Sequence, residues 1–182
     1  MSQAHLDQQL EDFHLDFAWK THDYIHNYIR FADTKATFVV AWCSALLGTL
    51  YVARLHESVV HARFTSSDVS WPTTLAALAL PLLAASFLTA AWSIIPRLPT
   101  NQRAGLVFWE SIFVHADGDL YANVLSRESR GQLARHLCVQ IYMVAGVARR
   151  KYLYVTVSMW FGFFGTILGV LAVLLNPLPT LG

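Results

Sequence analysis

Charge is scarce in this chain. Only 14% of its 182 residues are Asp, Glu, Lys or Arg, against about 25% in an ordinary soluble domain. Cysteine is scarcer still: Cys43 lies inside an apolar run and Cys138 in a helical pattern, which excludes a disulfide framework and lacks zinc-site spacing. There is no glycine-rich phosphate loop, no nucleophile elbow and no paired-carboxylate signature, so no enzyme is expected. The first thirty residues lack an apolar core. No cleavable signal is therefore expected, and the first apolar run would serve as an uncleaved anchor.

What the chain has is apolar length. Three runs, residues 36–53, 71–95 and 152–175, carry no charged residue and none shows a polar face. A helix needs about 20 residues to cross a hydrocarbon core roughly 30 Å thick, and all three come near or above that length. The expected fold class is an all-α membrane protein with three transmembrane helices. Long cytosolic helical extensions precede the first and third spans.

Lys and Arg set the expected orientation. Lys20, Arg30 and Lys35 precede the first span, and eight more basic residues from Arg97 to Lys151 lie between the second and third. Only Arg54 and Arg63 lie between the first and second. Eleven against two, by the positive-inside rule, puts the N-terminus and residues 96–151 in the cytoplasm. Residues 54–70 become an external loop and residues 176–182 an external tail.

Residues 1–35 read as a cytosolic amphipathic helix, with Leu10, Phe13, Phe17, Tyr24, Tyr28 and Phe31 recurring at helical steps. Nothing between His26 and Ala36 breaks it, so it should run straight into the first span. Pro81 is expected to kink the second span, and Pro96 and Pro99 to end it. Asn101–Val114, with its Leu106-Val107-Phe108-Trp109 run, reads as a short strand or an irregular connector. Asp117-Gly118-Asp119 reads as a turn feeding a helix N-cap. From about Glu128 one long helix should continue through the third span. That span carries Gly162, Gly165 and Gly169, a small-residue face suited to close helix packing or to oligomerisation.

Two places carry candidate chemistry. His22 and His26, with Asp23 and His14 nearby, have the spacing of a helical metal pair, but no third ligand is evident, and solvated or packed histidines are the expectation. The second place is the membrane rim. Arg30, Asp33 and Lys35 close the first cytosolic helix, and Arg149, Arg150, Lys151 and Tyr152 close the last. A charge at the bilayer centre costs about 3 kcal/mol on insertion scales, so these residues belong where helices leave lipid. They serve either as snorkelling topology signals or as a cationic pocket for a small anion, with Trp109, Tyr121 or Tyr28 offering a ring for stacking.

The stretch Phe31-Ala32-Asp33-Thr34-Lys35-Ala36 at a first span resembles the membrane effector domain of Pycsar antiphage systems. So does the later series Phe108-Trp109-Glu110-Ser111-Ile112, Tyr121, Gln140-Ile141 and Arg150-Lys151-Tyr152. The resemblance covers roughly residues 23–170. It implies an effector of the bacterial inner membrane; with the orientation expected from the basic residues, the multi-pass chain then ends in the periplasm. Such an effector senses cyclic CMP or cyclic UMP from a partner cyclase and disrupts membrane integrity, which stops growth. Carried over by position, Asp33, Lys35 and Ala36 are the motif, with Trp109, Glu110, Tyr121, Lys151 and Tyr152 as secondary matches. Combined with the reading of the rim as an anion pocket, Asp33, Lys35, Trp109, Tyr121, Arg150, Lys151 and Tyr152 are the candidate ligand-binding residues. The expected partners are membrane lipid, the nucleotide messenger and further copies of the chain, with no nucleic acid, metal or resident cofactor. A constitutive channel or transporter subunit, and an anchor for a cytosolic protein, stay open as alternatives.

Overall fold

The computed structural model describes residues 3–64, 70–95, 106–107 and 109–176, and they are helical apart from short connectors. Six helices follow in order: α1 (Gln3–Val52), α2 (Leu55–Phe64), α3 (Trp71–Ile94), α4 (Trp109–Ile112), α5 (Gly118–Arg127) and α6 (Arg130–Leu175). Segments of α1, α3 and α6 are long and apolar enough to cross a membrane. The residues group into two compact units, Met1–Phe31 with Arg97–Arg150, and Ala32–Pro96 with Lys151–Gly182. Both α1 and α6 contribute to each.

The second unit is built on small side chains in a three-four rhythm. On α3 the buried residues are Thr73, Ala76, Ala79, Leu83, Ser86, Ala90 and Ser93. On α6 they are Val155, Ser158, Gly162, Gly165, Gly169 and Ala172, and on α1 they are Ala32, Ala36, Val39, Cys43 and Leu50. Inside lipid no hydrophobic force drives helices together, so close van der Waals approach must do so, and small residues permit it. The large side chains point outward: Phe38, Trp42, Leu88, Trp92, Trp160 and Phe163 are all exposed, as suits a lipid-facing surface.

Three buried polar side chains of this unit are linked in series from α1 through α3 to α6. Cys43 Sγ donates to Ser86 Oγ at 3.2 Å, Ser86 Oγ donates to the Ser158 carbonyl at 2.7 Å, and Ser158 Oγ returns to the Val155 carbonyl at 2.8 Å. An unmade hydrogen bond at such depth costs several kcal/mol, so this string fixes the register of α1, α3 and α6.

Ends and joints follow local chemistry. α3 starts with Pro at its first turn, where the missing N–H is no loss. It continues through Pro81 to Ile94, and Ile95 is extended (ψ 122°), the conformation preferred before a proline. Pro96 and Pro99, expected as breakers, lie outside the described residues. At the C-terminus of α1 the chain turns through Arg54 at φ 55°, a left-handed stop, and Leu55 drops into the core.

The segment expected as an external loop holds α2. Leu55 is buried and Val59 packs against the same core, one helical turn apart, and α2 lies against α3. Of residues 101–114, expected as a short strand or an irregular connector, the described residues form no strand. Leu106 and Val107 form bends and α4 starts at Trp109, while Phe108 lies outside the described residues. With Leu106 buried, its carbonyl accepts a bond from the Tyr121 hydroxyl at 3.0 Å instead of a strand partner.

In the first unit Asp117 caps α5, its carboxylate accepting from the Leu120 N–H at 2.6 Å. A reciprocal capping box opens α6: the Ser129 N–H donates to Gln132 Oε1 at 2.7 Å and the Gln132 N–H donates to Ser129 Oγ at 3.3 Å. The box places the start of α6 two residues after Glu128. Within this unit Arg130 of α6 pairs with Asp12 of α1, and Ala18, Leu137 and Val144 are buried.

Candidate functional site at the rim of the apolar helices

The site starts from a helical repeat. Ala32 and Ala36 of α1 are fully buried and meet Val155 of α6, with Tyr152 packed against them. Because two alanines four residues apart face α6, Asp33 and Lys35 flank the contact on either side. Lys151 reaches Asp33 Oδ1 with its Nζ at 2.5 Å. The lysine side chain is 14% exposed and the carboxylate 38%, so the lysine depends on its partner far more than the carboxylate does. On the other side, Lys35 Nζ stands 5.7 Å from the centroid of the Tyr152 ring, a cation–π distance. Lys35 is itself exposed.

The third helix joins from behind. Ser93 Oγ of α3 donates to the Lys151 carbonyl at 3.4 Å, and Thr37 Oγ1 donates to the Asp33 carbonyl at 2.9 Å. One anion, two cations and one aromatic ring from α1 and α6 thus meet at the end of the apolar runs. Chemically, the cluster offers a lysine already neutralised by a carboxylate, and beside it an accessible lysine above a ring.

Of the expected site residues, the structure brings together Asp33, Lys35, Lys151 and Tyr152. Tyr121 and Arg150 belong to the other unit. The Tyr121 ring lies 5.6 Å from His115 and its hydroxyl is held by Leu106, and Arg150 is exposed. The Trp109 side chain lies outside what the structure describes. Gly162 faces Ser86 and Cys43, Gly165 faces Leu83, and Gly169 faces Leu50 and Ala79, so all three pack helices of the same chain. Ser93 is not among the expected site residues; the signal for it is the three-four spacing of small residues along the second span.

The His22 and His26 rings lie tilted at 60° with centroids 4.5 Å apart, and Trp19 meets His22 edge-on at 5.7 Å. Burial, with help from the neighbouring His26, lowers the His22 pKa below 6.5, against an opposing pull from Asp23. Among the described residues no group of three His, Cys, Asp or Glu side chains comes together as a metal site.

Fold and site together define a small helical membrane protein with a charged clasp where its helices leave the apolar layer. A family model for the Pycsar effector protein domain, PycTM, matches residues 17–176. The chain is also similar to the Pycsar effector protein SaPycTM of Staphylococcus aureus, at 25% identity over 129 residues, covering 71% of this chain and 75% of that one. No solved structure matches significantly. The chain belongs to the Pycsar transmembrane effector family.

Proposed function

We propose that this protein is a cyclic-nucleotide-responsive effector of the bacterial inner membrane. It senses cyclic CMP or cyclic UMP made by a separate cyclase, then disrupts membrane integrity and arrests growth. The N-terminus and residues 96–151 face the cytoplasm, as the distribution of basic residues favours, and the effector works as a homo-oligomer among lipids. Family membership supports this reading. The observation that carries it on this chain is the rim cluster of Asp33, Lys35, Lys151 and Tyr152.

The cluster explains how a small anion changes a helix packing. A cyclic phosphate carries one negative charge and two free acceptor oxygens. It is drawn to Lys35 and competes with Asp33 for Lys151, while the Tyr152 ring presents a face to a pyrimidine. Loosening the clasp between α1 and α6 favours whichever arrangement binds the anion better, by the ratio of its affinities for the two arrangements.

The test is co-expression with a pyrimidine nucleotide cyclase. Lys35→Ala and Lys151→Ala should abolish growth arrest while membrane fractionation shows unchanged insertion. Full arrest by both variants excludes the rim as the sensing site.

A further inference from the structure

The N-terminal part of α1 carries a ridge that neither the rim cluster nor the small-residue core uses. Leu10, Phe17, Tyr24 and Phe31 are spaced seven residues apart and are 61%, 63%, 60% and 62% exposed. Phe13 and Tyr28 widen the ridge at 65% and 42%. An apolar row repeating every seven residues drifts only about 20° per repeat on a straight helix, and a slight left-handed supercoil removes that drift. Such a row matches another helix of the same period.

We propose that this ridge is the pairing surface for α1 of a second copy of the chain, as a parallel two-stranded coil over residues 10–31. Membrane insertion fixes the direction. In every copy residue 31 lies just before the apolar run that starts at Ala36, so two such segments approach the bilayer side by side and in register. The area suffices. A buried aromatic covers about 150–250 Å², so six residues at these exposures offer roughly 600–700 Å² per helix. Two copies together remove roughly 1,300 Å², within the size of specific interfaces.

The positions flanking the ridge tune the pair. Lys20 and Asn27 follow Phe13 at seven-residue steps, on the second line of the seam. Lys20 is neutralised by Asp16 of its own helix at 2.7 Å. Polar groups at such positions fix register and lower stability, which gives a reversible dimer. The glycine face of α6 is covered by α1 and α3 of its own chain, so association through α1 leaves the membrane core intact. The inference goes beyond the nucleotide reading and needs no nucleotide for its test.

The experiment is disulfide trapping of the full chain in native membranes, in a Cys138→Ser background and without nucleotide. Phe17→Cys and Tyr24→Cys lie on the ridge, whereas Trp19→Cys and His26→Cys lie on exposed parts of the far side. Oxidation should give covalent dimers at 17 and 24 and at least tenfold less at 19 and 26. Equal trapping on both faces, no trapping on the ridge, or ridge adducts with a protein of another mass overturns the proposal. As a second readout, Phe17→Glu with Tyr24→Glu should shift the particle in mild detergent from dimer to monomer. An unchanged mass also overturns it. Because no messenger is present, failure here leaves the sensing reading standing, and failure of the co-expression test leaves this interface standing.

Discussion

Replacing Asp33 by Asn should destabilise the protein more than replacing Lys151 by Met, although each change removes the same ion pair. Asp33→Asn keeps shape and a carbonyl acceptor but leaves the Lys151 ammonium, 14% exposed, without its counter-charge. Breaking a fully buried pair from one side costs 3–5 kcal/mol; with this partial access, about 2–3 kcal/mol is expected. Lys151→Met leaves a carboxylate that is 38% exposed and can recruit water, so the loss is nearer that of one charge-assisted hydrogen bond, about 1–2 kcal/mol. The double variant leaves no stranded charge. Its cost should therefore fall short of the sum by about 1–2 kcal/mol, the coupling expected of residues in direct contact. The assay is unfolding of detergent-solubilised protein by increasing dodecyl sulfate, followed by circular dichroism. A larger loss for Lys151→Met, or strict additivity, would refute the reasoning.

Two further perturbations test other parts of the account. A methyl group at Gly165 would stand 2.9 Å from Leu83 Cγ and 3.2 Å from the Leu83 backbone nitrogen, whereas one at Gly169 would meet nothing closer than 3.6 Å. Gly165→Ala should therefore cost about 1–3 kcal/mol by overpacking. Gly169→Ala should be neutral, or stabilising by up to about 1 kcal/mol through helix propensity; equal effects in the same unfolding assay contradict the packing described. His22, whose pKa is lowered mainly by burial, binds its proton less readily folded than unfolded. Its stabilising contribution is complete above pH 6.5 and is lost as pH falls through its lower folded value. Thermal melts of wild type and His22→Gln should diverge across that window, the wild type losing more; parallel curves contradict the assignment.

The three apolar helices were legible in the sequence because length without charge has few other meanings, and the continuity of α1 because no breaker separates His26 from Ala36. The α5 cap was legible because Asp before Gly-Asp states its own geometry. α2 was not, since a ten-residue helix with His56, Glu57 and His61 carries little apolar periodicity, and its burial depends on Leu55 and Val59 finding a core made elsewhere. At the rim, Asp33 and Lys35 stood out as charges beside an apolar run. That Asp33 takes Lys151 and leaves Lys35 over Tyr152 depends on which face Ala32 and Ala36 turn to α6, a tertiary fact that no local pattern encodes. The ridge from Leu10 to Phe31 was visible as spacing, but its exposure needed coordinates. A stripe on one helix says nothing by itself about whether the same chain covers it.

The most direct test of the effector reading is dye leakage from liposomes that contain the purified full chain, with and without cyclic CMP or cyclic UMP. The account predicts leakage that requires one of the two nucleotides and is lost in Lys35→Ala. Leakage without nucleotide, or none under any of these conditions, contradicts it.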